Sequence, residues 1–217
     1  MRYQRILKEV SIFSLTLRKM GALYFVPHFF LYVLIPLFGI GYILYHGDGE
    51  NARGLIFFDM QKFIPFFSVW WILFGLDDNV EGNSSEILRV YKRSLLSEFW
   101  LMFGWYILHV TLLFFVLGVI LESYWLDLPL IIIQCSAFAS IAFFLLCVSR
   151  TLLLSFLSVL LYEIFSMLSN FGMFTWINMF SLTRVSTLLD LLHPYVLIFA
   201  VSIILPFLGN MINMRKD

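Results

Sequence analysis

The chain has 217 residues, of which 61% are hydrophobic, 19% aromatic and only 13% charged. Soluble domains are about half apolar and a quarter charged, so this composition excludes a soluble globular domain. Fourteen basic residues balance fourteen acidic ones, and without a basic excess we expect no binding to nucleic acid. At about 20 apolar residues per crossing, the length accommodates about six membrane helices and no separate soluble domain.

Six apolar windows are each long enough to cross the hydrocarbon layer as a helix. They run from Ala22 to Tyr45, Leu55 to Leu76, Trp100 to Leu121, Leu128 to Val148, Leu152 to Asn170 and Tyr195 to Met211. We therefore predict an all-α, polytopic membrane protein with one transmembrane domain over 1–217. Helices 1–2 fall in 22–76, helices 3–5 in 100–170, and helix 6 with a short tail in 195–217.

The distribution of basic residues predicts the orientation of these helices. Eleven lie on the side of the termini: Arg2, Arg5, Lys8, Arg18, Lys19, Arg89, Lys92, Arg93, Arg150, Arg215 and Lys216. The other side carries three, which are Arg53, Lys62 and Arg184. Because positively charged loops are retained in the cytoplasm, we predict a multi-pass protein of the cell membrane with both termini cytoplasmic.

The first segment, 1–20, has an amphipathic helical pattern. Apolar residues recur at helical spacing on one face, and the remainder is mostly basic. The apolar positions are Ile6, Val10, Phe13 and Leu17. This pattern is typical of a helix that lies in the membrane interface before the first crossing, and a frayed basic tail is the alternative.

The longest predicted cytoplasmic segment, 77–99, contains a helix signal. Asn83 followed three residues later by Glu86 fits a capping box, which predicts a helix start near Ser84. An apolar strip then follows, with basic residues turned elsewhere. It consists of Ile87, Leu88, Tyr91 and Leu95. Such a helix either lies in the headgroups or is presented to a soluble partner, and composition does not choose between them.

The segment 171–194 on the outer side is too apolar for a solvated loop and too interrupted for another full crossing. We predict a re-entrant or interfacial helical hairpin that ends at Pro194, before the last crossing. A seventh crossing would place Arg215 and Lys216 outside, against the positive-inside rule.

Glu163 lies well inside the fifth crossing, where a carboxylate is costly and usually faces protein or water. A narrow stripe of mostly small hydroxyl residues runs beside it, as expected of a helix packing face. The stripe consists of Ser155, Ser158, Tyr162, Ser166 and Ser169. We interpret this face, with Glu163, as a packing surface and the edge of a translocation pathway. The alternative is that Glu163 is hydrated near the outer interface, or protonated and hydrogen-bonded.

Four other ionisable residues in the crossings have local explanations. His28 and His109 are expected to be satisfied by neighbouring carbonyl groups rather than to bind a ligand. Asp59 and Lys62, three residues apart on the second helix, are expected to form an ion pair.

Trp and Tyr residues near the predicted helix ends suggest an aromatic belt at the headgroup level. The tryptophans assigned to it are Trp70, Trp71, Trp100 and Trp125.

Motifs for chemistry within the chain are missing from the sequence. There is no H-E-x-x-H and no G-x-S-x-G, so we do not expect an enzyme. There is also no G-x-x-x-x-G-K-[ST] loop, so any ATP-driven function requires a second, ATP-hydrolysing subunit.

The arrangement resembles the type-2 ATP-binding-cassette exporter permeases. That family shares the amphipathic N-terminal helix, the cytoplasmic helix between crossings two and three, and the apolar outer hairpin before the sixth. The local match is the segment EGNSSEILRVYKRSLL, 81–96, where the family has an acidic residue, Gly, a small hydroxyl residue, an acidic residue and two aliphatics. The chain has Arg93, Ser94 and Leu95 where the family has a proline-containing turn.

The resemblance implies a coupling helix that docks on a cytoplasmic P-loop ATPase, which binds ATP and Mg²⁺ while this chain binds no cofactor. It also implies a second permease copy or a paralogue within the membrane lipid, and outward transport of an amphipathic or hydrophobic peptide, lipid or drug. The residues expected to contact the ATPase are Glu81, Glu86, Leu88, Arg89, Tyr91, Lys92 and Arg93.

Two alternatives remain open. The first is a substrate-capture subunit of a vitamin uptake complex, although 22–45 lacks the A-x-x-x-A spacing usual in its first helix. The second is a membrane assembly protein that transports nothing.

Overall fold

A computed structural model describes residues 11, 13–47, 49–81, 94–121, 125–169, 179–181 and 195–215. Every regular element in these residues is a helix, which confirms the all-α class. The long helices are α1 (Ala22–His46), α2 (Glu50–Val80), α3 (Leu96–Leu121), α4 (Asp127–Ser149), α5 (Leu152–Ser169) and α6 (Tyr195–Arg215).

Five of these helices are long and apolar enough to cross a membrane, namely α1, α2, α3, α4 and α6. The chain is therefore a multi-pass membrane protein. The apolar part of α5, Leu152–Ser166, is shorter. The α2 helix extends beyond its apolar run at both ends and α3 begins at Leu96, so the predicted loop 77–99 was too long. Both helices continue through polar residues beyond their apolar runs. A helix can form from polar residues, whereas only the part of it that lies in the bilayer must be apolar.

Contacts between neighbouring helices fix their relative directions. The α1 and α2 helices are antiparallel, because Tyr42 bonds to Asp59 while Tyr24 stacks on Trp71. The α3 helix runs opposite to α2, since Tyr106 Oη donates to the Ile64 carbonyl and Asn79 bonds to Glu98. The most deeply buried helix is α4, which packs against α2, α3, α5 and α6.

Small residues let α6 approach α4 closely. Ser136 and Ser202 share a hydrogen bond of 2.9 Å, and Ser140 Oγ donates to the Ser202 carbonyl at 2.5 Å. Further along α6, a Cβ built on Gly209 would lie 3.1 Å from the Phe144 Cα atom. Small residues and hydroxyl groups at such contacts are characteristic of helix pairs within membranes, where no hydrophobic force drives association.

We expect Gly209→Leu to destabilise the bundle by about 1–3 kcal/mol, because its side chain meets the backbone of α4, which cannot rotate away. The thermal unfolding midpoint of the purified protein measures this loss. Gly41→Leu is the matched control, since a Cβ there has no neighbour within 4 Å. Equal midpoints for the two variants would show that α6 does not pack as tightly as described.

Pro27 interrupts the hydrogen bonding of α1, and α2 compensates. Proline has no N–H for the carbonyl four residues earlier, and a short π-helical stretch, Phe30–Leu34, follows. The Nε1 atom of Trp70 instead donates to this carbonyl, that of Leu23, at 3.2 Å, and the Nε1 atom of Trp71 donates to the next one, that of Tyr24, at 3.3 Å. Neighbouring side chains commonly satisfy such freed groups within membranes.

The aromatic-belt prediction was wrong for Trp71, which is fully buried because it serves α1 rather than the headgroup layer. Trp100 and Trp125, in contrast, are exposed beside helix ends, and their position at the headgroup level stays a prediction.

The structure describes part of the predicted N-terminal helix. Residues 13–19 are helical, and the ring of Phe13 meets Trp105 of α3 edge-on at 6.0 Å. Gly21 then has a φ of +54°, a conformation that glycine adopts readily, and the chain turns there into α1. The other positions of the predicted helix, 1–10 and 12, lie outside the described residues.

Candidate functional site

Buried polar side chains gather at one level of the bundle. Gln61 of α2 and Gln134 of α4 are fully buried, and Glu163 of α5 is 6% exposed. Gln134 follows the start of α4 by seven residues and Glu163 precedes the end of α5 by six. At 1.5 Å per residue, both lie about 10 Å inside their helices. Polar groups at such depth usually face protein or a pathway, so this level is the candidate site.

Gln61 binds the main chain of Ser181 in both directions. Its Nε2 atom donates to the Ser181 carbonyl at 2.9 Å, and its Oε1 atom accepts from the Ser181 N–H at 2.7 Å. One side-chain amide therefore satisfies both backbone groups of a non-helical residue. Irregular backbone at membrane depth requires such partners, because lipid offers none.

Gln134 extends this contact. Its Nε2 atom donates to Gln61 Oε1 at 2.8 Å and to the Met179 carbonyl at 2.7 Å. Both of these partners are acceptors, so the NH₂ group of the Gln134 amide must face them. The opposite orientation would place Oε1 against two other oxygens. The Oε1 atom of Gln134 is buried and has no hydrogen-bond partner among the described residues. A buried acceptor without a partner costs free energy, so this oxygen is a candidate acceptor for a donor of a bound molecule.

Two tyrosines complete the enclosure of the segment 179–181. Tyr162 of α5 lies beside the backbone of Met179, and Tyr195 of α6 lies beside the Ser181 side chain. Four helices thus hold these three residues. We call this set the amide clamp: Gln61, Gln134, Tyr162 and Tyr195.

The structure describes only 179–181 of the predicted outer hairpin 171–194. These residues are not helical, and Phe180 is 5% exposed within the bundle. A helical hairpin contains a non-helical turn near its middle, so these three residues do not decide the matter, and the re-entrant or interfacial hairpin stays a prediction. The rest of the hairpin lies outside the described residues.

A charged edge borders the clamp. Lys62 Nζ lies 3.2 Å from Asp59 Oδ1, which confirms the predicted ion pair, and 3.9 Å from the centre of the Phe58 ring. Tyr42 of α1 donates to Asp59 Oδ2 at 2.7 Å. Lys62 is also the cation whose charge acts on the buried carboxylate of Glu163. Opposite charges at this level reduce the cost of burying either one.

The predicted face of α5 is only partly buried. Ser155, Ser166 and Glu163 face the bundle. Ser155 and Ser158 donate to carbonyls of their own chain four residues earlier, Thr151 and Leu154, at 2.9 and 2.8 Å. These two hydroxyl groups therefore bond back to the backbone of their own segment. The Ser169 side chain lies outside the described residues. Participation of this face, with Tyr162, in a pathway stays a prediction.

Among the residues predicted to contact an ATPase, the structure describes Glu81. Its Oε1 atom accepts from the Leu152 N–H at 2.6 Å, at the first turn of α5. A carboxylate satisfies a free N–H group there and interacts favourably with the helix dipole. The other predicted contacts lie outside the described residues: Glu86, Leu88, Arg89, Tyr91, Lys92 and Arg93.

The far end of the same segment is bound to α6. Asn210 Oδ1 accepts from the Leu95 N–H at 3.0 Å and from Ser94 Oγ at 3.3 Å, directly before α3 begins. Both described ends of 81–95 are therefore connected to a helix distant in sequence. Asn210, Gln61 and Gln134 were not predicted as site residues, because an uncharged amide within an apolar run is far less conspicuous than a formal charge.

Both membrane histidines form a hydrogen bond through Nδ1, whereas the buried Nε2 atom of His109 has no partner among the described residues. His28 Nδ1 donates to the Tyr24 carbonyl at 3.0 Å, which confirms the local explanation. His109 Nδ1 instead lies 2.8 Å from the Tyr32 hydroxyl of α1. Within the described part of the chain, no group of three or more His, Cys, Asp or Glu residues is arranged to hold a metal ion.

Comparisons with known proteins returned no match to a protein-family model, to a curated protein or to a solved structure. The resemblance to exporter permeases therefore depends on the sequence pattern.

Proposed function

We propose that the chain is the permease subunit of an ATP-driven exporter whose ATPase is a separate cytoplasmic protein. The observation that carries this proposal is the attachment of both ends of 81–95 to other helices. Glu81 bonds to the start of α5, and Leu95 bonds to Asn210 of α6. A partner that moves this segment therefore moves four membrane helices together.

The proposal includes α5 as a sixth crossing, so that both termini are cytoplasmic in the cell membrane. Support comes from contacts along α5, which runs antiparallel to α2. Its start bonds to Glu81, and the rings of Phe156 and Trp70 lie 6.0 Å apart. Farther on, Glu163 is influenced by Lys62, which lies 19 residues before Glu81 on α2. Eighteen residues at 1.5 Å each span about 27 Å, close to the hydrocarbon thickness.

The direct test is copurification with a P-loop ATPase encoded beside the gene for this chain. We expect the native chain to form a complex with this ATPase. Arg93→Glu is expected to lower the affinity of the complex at least about tenfold, because it replaces a cation at a desolvated contact by an unpaired anion. Binding of the tagged ATPase to the permease in detergent is the measurement. Arg184→Glu is the matched control, since the sequence places it on the opposite side of the membrane. Full ATPase binding by the Arg93 variant would count against the docking assignment.

The uptake and assembly alternatives differ in measurable ways. An assembly protein does not copurify with a P-loop ATPase. A vitamin-capture subunit accumulates a small vitamin inside cells or vesicles, whereas an exporter, with a second copy or a paralogue, depletes its substrate from the cytoplasmic side.

A further inference from the structure

The non-helical segment 179–181 bonds to the amide clamp through its main chain, which is also how proteins bind extended peptides. Main-chain groups of the first and third residues bond to the clamp: the Met179 carbonyl to Gln134, and both groups of Ser181 to Gln61. Alternate residues of an extended chain direct their backbone groups to the same side. Strand-like peptides are recognised through these main-chain bonds, with side-chain pockets adding specificity.

The middle residue supplies the side-chain contact. Phe180 is 5% exposed, and its ring centre lies 6.2 Å from that of Phe138 of α4. It belongs to an apolar cluster that also includes Val159 of α5. Burying an aromatic ring at such a site contributes strongly to binding and selects for aromatic residues.

Beside the clamp there is space for a different side chain at the first position of the segment, where Met179 now lies. Met179 lines an apolar cleft of about 140 Å³ between α4 and α6, together with Ile141 and Leu205. The Oε1 atom of Gln134, which has no partner within the described part of the chain, offers a further acceptor for a donor of a bound peptide. The site therefore has an acceptor and apolar space that its present occupant leaves unused.

We infer that the amide clamp is a binding site for extended peptides, occupied by the chain's own residues 179–181 when no substrate is bound. The transported substrate is then a peptide with a central aromatic residue that displaces this segment. The inference rests on the proposed export function and narrows its substrate class from peptide, lipid or drug to peptide. A lipid chain or an apolar drug lacks the alternating donors and acceptors that Gln61 and Gln134 satisfy.

The test measures displacement on the purified chain alone, in lipid nanodiscs without an ATPase. Ser181→Cys is labelled with a membrane-impermeant maleimide, and the native Cys135 and Cys147, both buried, give the background. The probe is an acetylated and amidated peptide of the sequence Ile-Asn-Met-Phe-Ser-Leu-Thr. Because a tethered segment competes at an effective concentration of about 1 mM, the peptide is added above this level.

We expect slow labelling without peptide and several-fold faster labelling with it. The same peptide with an N-methyl group on its serine is the matched control, because it lacks the N–H that Gln61 accepts, and we expect it to change nothing. Gln61→Leu in the Ser181→Cys background shows the labelling rate of the released segment.

Three outcomes would overturn the inference. Equal acceleration by both peptides means that main-chain recognition is absent. No acceleration by the peptide, with fast labelling of the Gln61 variant, means that the clamp only ties the fold together. Slow labelling of the folded Gln61 variant means that the clamp does not hold the segment. Each of these leaves ATPase copurification, the test of the proposed function, unaffected.

Discussion

Gln61→Leu is expected to lower the free energy of unfolding by about 2–6 kcal/mol. Leucine fills a similar volume but leaves the N–H and C=O groups of Ser181 without the partners they have in the native bundle. Each buried group left unsatisfied costs about 1–3 kcal/mol. Unfolding of the purified protein in detergent, followed by loss of tryptophan fluorescence signal, measures the change.

Ser68→Ala is the control for this prediction. Ser68 lies on the same helix and is as completely buried, and its hydroxyl donates to the carbonyls of Pro65 and Cys135. The alanine variant lacks this hydroxyl donor, and only carbonyl oxygens that have other partners remain. We therefore expect the free energy of unfolding to fall by about 1 kcal/mol. If the two variants are equally stable, Gln61 does not anchor the segment 179–181.

The helices themselves were largely predictable from sequence, because lipid requires long apolar runs. The windows predicted for the fourth and sixth crossings start within one residue of α4 and α6. The same signal fails at the ends of α2, where Glu50 and Val80 lie beyond the run 55–76. Hydropathy reports where the bilayer is, whereas hydrogen bonding decides where a helix ends.

The candidate site was less predictable, because its partners are distant in sequence. Gln61 and Ser181 are 120 residues apart, and nothing in either local sequence indicates the other. Charge, in contrast, identified Glu163 and the ion pair of Asp59 and Lys62, since a formal charge is conspicuous in an apolar helix. Buried amides carry no such signal, yet they make the main contacts here.

Trp71 is a second residue whose role could not be predicted from its local sequence. Near a predicted helix end, a tryptophan usually indicates the headgroup layer, and the sequence contains nothing to contradict that interpretation. The structure places it in the core, where its Nε1 atom donates to the Tyr24 carbonyl of α1. Its role is therefore decided by a residue of a different helix.

Asn210→Leu is expected to uncouple the membrane helices from an ATPase that still binds. The variant removes the acceptor for the Leu95 N–H, so motion of 81–95 no longer reaches α6 through this contact. The docking residues predicted from sequence are unchanged, so association with the ATPase is retained. Loss of such a cap also costs about 1–2 kcal/mol of stability, too little to unfold most proteins.

Hydrogen–deuterium exchange of the complex provides the readout, since it requires no knowledge of the substrate. In the proposed complex of the native chain with the ATPase, we expect ATP to change exchange at the two helix ends that contact 81–95, which are the start of α5 and the end of α6. In Asn210→Leu the change at α6 is lost while that at α5 persists through Glu81, and Glu81→Leu gives the reverse pattern. Asn213→Leu, one turn along α6, controls for general loosening of the helix. If ATP changes α6 equally in native and Asn210→Leu complexes, the motion reaches α6 by another route, such as its packing on α4.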